Sequence, residues 1–442
     1  MRPLGLCAAF ILAAIMSGTV VAAAPIAMPA PRQTSYDGAT IVLQPDAESS
    51  LVGMQFFIAA GLDRQAPAQN GLSALVAEDV LNTPVGEGHV PLRDAVLSEG
   101  ASIAYTVDGH WIRYYLEGIK ANFATRILPL FAAALARPSF DAGAVSDART
   151  ELDRKIAENQ LVPLTVGLEM LNAAFFTDSD AGLPQYGLPA TLAGLGPADA
   201  RRFFSTYYRR TGAIVSAAGG LDSDRAGDFF TLVDTLPPGA TRPIAVKLGK
   251  LRGSQRRLVA RRDIAVPWLV AQFPAPSIRS RDFGAMLVLT SFLERTASEV
   301  AENPSVTTRP LSDRAAGALY NFDERPANVV LFINGGFGDP SRPFSTALSV
   351  IQIFARSKLS GDIASMKRIA AGAYVDAATS LEDRTWFAGV FAAQDVSPDY
   401  VRRGLDAIGN VRPADLQRVA RTYLSNPNVA IVLPRDLQST PS

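Results

Sequence analysis

The chain carries an internal duplication, and this feature limits its possible folds more than any other. The tripeptide Pro-Ala-Asp occurs at residues 197–199 and again at 413–415, an offset of 413 − 197 = 216 residues. The same offset carries Tyr207 onto Tyr423. Repetition at a fixed spacing is typical of architectures built from a copied structural unit. We therefore predict two similar units of roughly 200 residues, each large enough to bury its own core.

Further matches extend the duplication through both units. Within one residue of this offset, Ala-Ile-Val recurs at 213–215 and 430–432, and the apolar run 51–60 matches the run 267–276. Apolar runs predict strands, and apolar residues at helical spacing predict helices. Each unit reads as two strands, a helix, further strands and helices, and a closing helix and strand. This order predicts an α+β fold.

In the first unit the pattern predicts two β-hairpins with a helix between them. Residues 40–44 and 51–60 form the first expected hairpin, and residues 102–108 and 110–119 form the second, around an Asp-Gly turn. Apolar residues at helical spacing predict the helix over 71–81.

A segment rich in Pro and Gly separates the two units. Residues 236–243, Leu-Pro-Pro-Gly-Ala-Thr-Arg-Pro, contain few large apolar side chains, which is typical of a linker. We predict a first domain over 36–236, a linker over 237–250 and a second domain over 251–437.

The N-terminal residues have the pattern of a secretory signal peptide. Arg2 precedes an apolar run over 4–16, and the small residues 21–24 follow. We predict cleavage after residue 24, export to the periplasm, and no membrane insertion of the mature chain. Cys7 is the one cysteine and lies in this segment, so the mature chain is expected to have neither a disulfide nor thiolate chemistry.

The charge balance argues against two classes of partner. Lys plus Arg and Asp plus Glu each number 42, and the charges are interspersed. A nucleic-acid or anionic-membrane partner is favoured by a basic excess. We therefore expect neither partner.

The chain has only two histidines, His89 and His110, and this restricts its chemistry. A zinc hydrolase motif such as His-x-x-Glu-His cannot be formed, and the sequence also lacks the Gly-x-Ser-x-Gly and Ser-x-x-Lys motifs of serine enzymes. His89 is expected in an exposed loop and His110 in a half-buried strand. Because catalytic triads are assembled in space rather than along the sequence, one around His110 stays open.

Glu78 and Asp79 are adjacent acidic residues on the expected helix. Neighbouring helical residues point about 100° apart, so the two carboxylates cannot act as a pair on one face. We interpret them as part of a solvated helix face.

Residues 58–84, 98–119, 134–156 and 263–293 together carry a resemblance to a known family. They resemble the M16 zinc peptidases, which include pitrilysin, insulinase and mitochondrial processing peptidase, and particularly the short bacterial M16B group. Residues 58–84 are similar to the family's strand, turn and metal-bearing helix, and residues 98–119 to its hairpin. Residues 134–156 and 263–293 resemble a later helical segment and the start of the second domain. The resemblance implies two homologous (LuxS/MPP-like) domains, each an antiparallel-rich sheet packed with helices, arranged as half of a clam shell.

The resemblance also implies that the metal site is degenerate. The family's first histidine falls on Ala74, its glutamate base on Ala77 and its second histidine on Glu78. The downstream glutamate ligand falls on Arg154 or Lys155. Without imidazole ligands, the site is expected to hold no zinc and to lack a general base.

In heterodimeric members of the family one subunit carries the metal and the other helps to grip the substrate. The resemblance implies that this chain is of the second kind, with zinc in a sibling that bears His-x-x-Glu-His. Such a subunit usually offers an Arg and a Tyr, for which Arg314 and Tyr320 are the candidates. One register puts Asp313 at the arginine position, with Arg314 one residue late, and another register puts Ala301 and Thr308 at these positions.

Three functional hypotheses follow. The first is a non-catalytic, periplasmic partner subunit of a zinc metallopeptidase that binds peptides along an edge strand of its chamber. The second is a stand-alone pseudoenzyme that serves as a binding or scaffold protein in the cell envelope. The third is an independent hydrolase that uses residues such as His110.

Overall fold

The computed structural model describes residues 28–176, 180–222, 226–240, 257–300, 316–323, 326–334 and 363–436, together with 345, 349, 355 and 356. The predicted signal peptide, most of the predicted linker, and Arg314 lie outside these residues. None of the helices described is long and apolar enough to cross a membrane.

Strands and helices alternate along the chain. The strands are β1 (Arg32–Tyr36), β2 (Ala39–Pro45), β3 (Leu51–Ile58), β4 (Pro84–Val85), β5 (Val90–Pro91), β6 (Ala101–Val107), β7 (Ile112–Ile119), β8 (Ile214–Gly219), β9 (Arg257–Arg262), β10 (Trp268–Pro274), β11 (Ala316–Asn321), β12 (Asn328–Asn334) and β13 (Asn428–Pro434). The main helices are α1 (Leu72–Asn82), α2 (Leu92–Ser98), α3 (Leu128–Ala136), α4 (Ala142–Asn159), α5 (Pro163–Phe175), α6 (Pro189–Leu192), α7 (Pro197–Tyr207), α8 (Ala226–Asp234), α9 (Phe283–Val300), α10 (Ile363–Asp376), α11 (Leu381–Ala393), α12 (Tyr400–Gly409) and α13 (Pro413–Tyr423).

Two mixed sheets share one strand arrangement. The first has the order β1-β2-β8-β3-β7-β6 and the second the order β11-β12-β10-β13-β9. In each sheet the closing strand, β8 or β13, lies between the first two long strands, parallel to one and antiparallel to the other. Among the residues described, the second sheet has no counterpart of β1. The predicted α+β fold class is confirmed.

The first predicted hairpin is wrong, whereas the second is confirmed. β2 and β3 are not neighbours, because β8 lies between them and pairs with both. All six residues of β8 are buried, and a buried interior strand must satisfy its backbone groups on both edges. β6 and β7 pair directly across the turn at 108–111.

The repeated Pro-Ala-Asp motif is a helix start in both units. Pro197 and Pro413 occupy the first positions of α7 and α13, where a missing N–H costs no hydrogen bond. The Asp199 carboxylate accepts the backbone N–H of Gly196 at 3.1 Å. Asp415 does the same for Arg412, also at 3.1 Å. The repeated Pro-Ala-Asp sequence therefore forms the same kind of helix N-terminus in both units.

The chain has two halves, one that contributes β1–β8 and one that contributes β9–β13, and each half packs one helix on the sheet of the other. α5 of the first half packs on the second sheet, where Leu164, Val166 and Leu171 join a core with Val270 and Ala430. α11 of the second half packs on the first sheet. The two helices begin 381 − 163 = 218 residues apart, close to the repeat offset. Each sheet is thus covered on one face by the equivalent helix of the other half.

Glycines and glutamines fit the exchanged helices to their sheets. A Cβ on Gly167 of α5 would lie 2.6 Å from the Val270 side chain, and one on Gly389 of α11 would lie 2.3 Å from the Phe57 ring. Gln272 donates to the Asn172 side chain of α5 at 2.9 Å. In the first sheet, Gln55 donates to the Glu382 carbonyl of α11 at 3.1 Å. The contact scheme between the halves is therefore reciprocal.

Candidate functional site

The helix α1 at the centre of the first half is buried on every side. It lies against β6, α4 and α7, and ten of its eleven residues are buried. It begins after Gly71, whose φ of 100° permits a close approach to Gly187. Ala74 and Ala77 are fully buried on this helix. Their methyl groups provide neither a metal ligand nor a proton acceptor.

Glu78 is fully buried and is held by two cations. Its Oε2 lies 2.7 Å from the Nζ of Lys155 on α4, and its Oε1 accepts a hydrogen bond from the Arg93 guanidinium on α2. Buried carboxylates require such pairing, because burial removes their hydration. Glu78 therefore has a structural ion-pair role in this position.

The Lys155 ammonium group lies between acidic and aromatic side chains. It donates to the Tyr105 hydroxyl at 3.4 Å and lies 4.5 Å from the Tyr105 ring centroid and 5.6 Å from that of Tyr186. These distances allow cation–π attraction. Burial, and then the charge of Glu78, raise the pKa of Tyr105 well above its ordinary value, and the same two causes raise the pKa of Tyr186. Both phenols therefore stay neutral; the Tyr105 hydroxyl accepts from Lys155, and both rings lie near its ammonium group.

The structure separates the two candidates for the family's glutamate ligand. Arg154 points towards solvent, is 54% exposed, and pairs with Glu151 at 2.6 Å and with Glu158. Lys155 points inward and contacts Glu78. A lysine ammonium therefore occupies the position that the resemblance assigns to an anionic ligand.

Glu78 and Asp79 do not lie on a solvated helix face, and this expectation is wrong. Both side chains are fully buried, because the enclosed helix α1 has no solvent face. Their divergence on the helix is as expected, since Glu78 faces Lys155 whereas Asp79 faces the loop before α4.

Asp79 is the less well satisfied of the two acids. Its Oδ1 accepts the Phe140 backbone N–H at 3.1 Å, but its Oδ2 is buried and has no hydrogen-bond partner among the residues described. Burial raises the pKa of Asp79 to about 6, against the opposing effect of the Phe140 N–H. Part of its population is therefore protonated at mildly acidic pH.

The residues present do not fit a zinc ion. Tetrahedral zinc sites use imidazole, thiolate and carboxylate ligands. Here the first ligand position is Ala74, the second is the Glu78 carboxylate that two cations bind, and the downstream position is a cation, while Ala77 stands at the position of the base. No group of three or more His, Cys, Asp or Glu in the described part of the chain is arranged to hold a metal ion.

Tyr320, a candidate substrate-gripping residue, is bound within the second half. Its hydroxyl donates to the Pro276 carbonyl, and its ring packs against Phe283 and Phe322. Burial raises its pKa well above the ordinary value. Arg314 lies outside the described residues, so the pair stays a prediction.

The two histidines have different surroundings. His89 is exposed in the turn between β4 and β5. His110 lies in the turn before β7 rather than within the strand, and its Nδ1 is 2.6 Å from Oδ2 of the buried Asp63. His110 lines a cavity of about 290 Å³.

Sequence reasoning missed several residues that the fold brings to these places. Arg93 contacts Glu78 from α2, a helix that the sequence analysis did not predict. The sequence offered one indication, since Arg93 is the one Lys or Arg in residues 84–98. Asp63 and Glu169 are far apart along the chain but line the same cavity as His110. Only the tertiary fold reveals such a meeting.

Comparison with known proteins supports the same family. No family model matches the sequence. The zinc protease PqqE of Helicobacter pylori is 24% identical over 240 residues. That alignment spans 52% of this chain and 52% of the relative, so the chain matches about half the length of that protein.

Solved structures match over nearly the whole chain. The peptidase M16 inactive domain from Pseudomonas fluorescens has a TM-score of 0.74 at 15% identity, with 93% of this chain and 100% of that chain covered. A protease from Helicobacter pylori has a TM-score of 0.75 at 14% identity, with 92% and 100% covered. The predicted resemblance is thereby confirmed, and the chain has the fold of the M16 peptidases.

Proposed function

We propose that this chain is a non-catalytic partner subunit of a periplasmic M16 zinc metallopeptidase. A sibling subunit that bears His-x-x-Glu-His would supply the zinc and the general base, and this chain would contribute part of the peptide-binding chamber. The observation that carries the proposal is the ion-pair cluster of Glu78, Lys155 and Arg93 at the family's metal position.

The cluster argues against hydrolysis by this chain alone. Zinc hydrolases need a bound water whose pKa the metal lowers and a base that removes its proton. Ala77 stands at the position of the base and cannot accept a proton. Lys155 and Arg93 add two positive charges beside the place that a dication would occupy, and they repel it.

A peptide could be held along β6. This strand is an edge of the first sheet, and its exposed residues Ser102, Ala104 and Thr106 alternate with inward ones. An edge strand offers unpaired backbone N–H and C=O groups to an extended peptide. β6 also carries Tyr105, so a peptide paired with it would pass close to the former metal position.

The first experiment identifies the companion and assays both proteins together. The tagged mature chain is purified from its native envelope fraction, and unstructured fluorogenic peptides are offered to the chain alone, to the companion alone, and to both, with and without a chelator. We expect chelator-sensitive cleavage only with both chains present. Cleavage by this chain alone would contradict the proposal.

A variant series then tests the chamber. Tyr320→Phe and Arg314→Gln, introduced into this chain, are expected to raise the KM of the two-chain enzyme if they grip the substrate. Arg154→Gln is the matched control, because its exposed guanidinium pairs with Glu151 and Glu158 on its own helix, α4. An unchanged KM in the first two variants would remove these residues from the site while leaving the partner role intact.

The alternative function is a stand-alone pseudoenzyme that acts as a scaffold in the cell envelope. It predicts that the chain purifies without a sibling bearing His-x-x-Glu-His and that added sibling restores no cleavage. The hydrolase hypothesis rests on the His110–Asp63 pair. It predicts chelator-resistant turnover by the chain alone that is lost in His110→Ala.

A further inference from the structure

The cavity that His110 lines lies where the two halves meet. It has a volume of about 290 Å³ and is bounded by residues 62–63, the β6–β7 turn, α5, and Asp323 of the second half. Its apolar walls include Leu62, Val107, Leu168 and Phe176. This size is near the lower end for small-molecule sites.

The charge lining this cavity is of one sign. Four carboxylates line it, from Asp63, Asp108, Glu169 and Asp323. His110 is the one basic side chain among the described lining residues, which include neither Lys nor Arg. The cavity therefore attracts cations.

Two of these carboxylates are already compensated. Asp63 contacts His110 at 2.6 Å and the Arg64 Nε at 3.3 Å. Asp108 accepts the backbone N–H groups of His110 and Trp111, and its other oxygen lies 3.1 Å from the Arg113 Nε. These two acids shape the wall without needing a ligand.

Glu169 differs from them. It is half-buried on α5 and makes neither a hydrogen bond nor an ion pair in the part of the chain that the structure describes. Burial raises its pKa, and the more distant Arg262 opposes this only in part. The Arg262 guanidinium is itself bound to Gln160 at 2.8 Å and to the Arg261 carbonyl at 2.9 Å. A cation in the cavity would offset the cost of burying the Glu169 charge.

We propose that this cavity binds a small organic cation, namely an alkyl chain that ends in an ammonium or guanidinium group. The Glu169 carboxylate pairs with the cationic end, while Leu168 and the Phe176 ring contact the alkyl chain. Such a group can come from a free amine or from a Lys or Arg side chain of a peptide. The site does not depend on the proposed partner role.

Isothermal titration calorimetry on the full mature chain tests the proposal. The probes are n-pentylamine, agmatine, and 1-pentanol as the neutral isostere, and the variant is Glu169→Gln. The matched control is Glu382→Gln, because Glu382 lies on the exchanged helix α11, also has a pKa raised by burial, and does not line the cavity. We expect the amines to bind the wild type and the control equally, and Glu169→Gln to weaken binding by roughly tenfold or more.

Three outcomes would contradict the proposed cation site. Equal binding of 1-pentanol and pentylamine, an unchanged affinity in Glu169→Gln, or no binding of any cationic probe would overturn the proposal. Two end-blocked peptides that differ by Lys or norleucine distinguish the sources of the cation. Glu169-dependent binding of the Lys peptide alone assigns the cavity to a side chain, and binding of free amines alone assigns it to a small molecule.

Discussion

The two central helices of the molecule, α1 and α9, occupy equivalent places but differ in what they bury. Gly71 before α1 and Gly284 within α9 both allow a close backbone approach, to Gly187 and Ala407 respectively. α1 buries two carboxylates, whereas α9 buries no charged side chain among its described residues 283–298. The shared fold therefore does not require charge at this place.

The charged residues of α9 sharpen this difference. Glu294 and Arg295 are only partly buried, unlike Glu78 and Asp79 of α1. Phe292 is a buried apolar residue, as expected for a helix that fills a core. The acids of α1, with Lys155 and Arg93, thus belong to a site particular to the first half. We interpret this ion-pair cluster as the replacement for a metal centre.

The largest expected effect is a loss of stability in variants of the exchanged helices, α5 and α11, which the two halves have in common. Gly389→Ala places a Cβ 2.3 Å from the buried Phe57 ring and is expected to lower the free energy of unfolding by about 3 kcal/mol. Gly167→Ala, its counterpart against Val270, should cost somewhat less. Urea unfolding measures both. Gly372→Ala on α10 is the control and should not destabilise the chain, because no described residue lies within 4 Å of the added Cβ. If Gly389→Ala also leaves stability unchanged, the close packing of α11 is refuted.

The next effect tests the difference between the halves. Lys155→Met leaves the fully buried Glu78 with Arg93 as its remaining cation, and we expect a loss of about 2 to 3 kcal/mol in the free energy of unfolding. The double variant Glu78→Leu with Lys155→Met should recover most of this loss, because no buried charge is left unpaired. Arg154→Met on the exposed face of α4 should change stability much less. Equal effects of Lys155→Met and Arg154→Met would argue against a buried ion pair.

A third effect is a pH dependence from the buried Asp79, whereas no acidic side chain is buried among the described residues 283–298 of α9. Its folded pKa of about 6 lies above the ordinary value of 3.8, so the folded state binds more protons between these values. The stability of the wild type should therefore fall as pH rises from about 4 to 6, by about 2 kcal/mol from this residue. Asp79→Asn should reduce that slope, as urea unfolding between pH 4 and 7.5 will measure. An identical pH slope in the variant would show that Asp79 does not cause it.

The smallest effect is expected in α9. The Thr290 hydroxyl is buried and has no hydrogen-bond partner in the described part of the chain, so Thr290→Val removes an unsatisfied polar group. We expect a gain of up to about 1 kcal/mol, measured by thermal unfolding, and no change in any peptide or ligand binding. A clear loss of stability would instead indicate a polar role in α9, and the contrast between the two helices would weaken.

The sequence predicted the parts of the fold that depend on local or repeated patterns. The 216-residue offset, the helix α1 and the β6–β7 hairpin each follow from residues close together or repeated in register. The insertion of β8 between β2 and β3 did not follow, because strand order depends on contacts between residues far apart along the chain. The exchange of α5 and α11 was missed for the same reason.

The candidate site was predicted in part. The register of the M16 resemblance identified Glu78 and left two candidates, Arg154 and Lys155, for the downstream position. The structure selects Lys155, because its side chain points inward from α4 to Glu78 whereas Arg154 points to solvent. The prediction that Glu78 lies on a solvated helix face was wrong, although the sequence indicated a buried helix. Leu72 to Leu81 contain no other charged residue, and a helix that is apolar all round is a buried one. Arg93 and the Glu169 cavity could not be predicted, because only the tertiary fold assembles them.

The most direct test of the central claim is the zinc content of the purified mature chain, measured by mass spectrometry together with chelator-sensitive peptide cleavage. We expect far less than one zinc per chain and no such cleavage by the chain alone, because Lys155 and Arg93 hold the Glu78 carboxylate at the family's metal position. One tightly bound zinc per chain, or chelator-sensitive cleavage without a companion, would contradict this account.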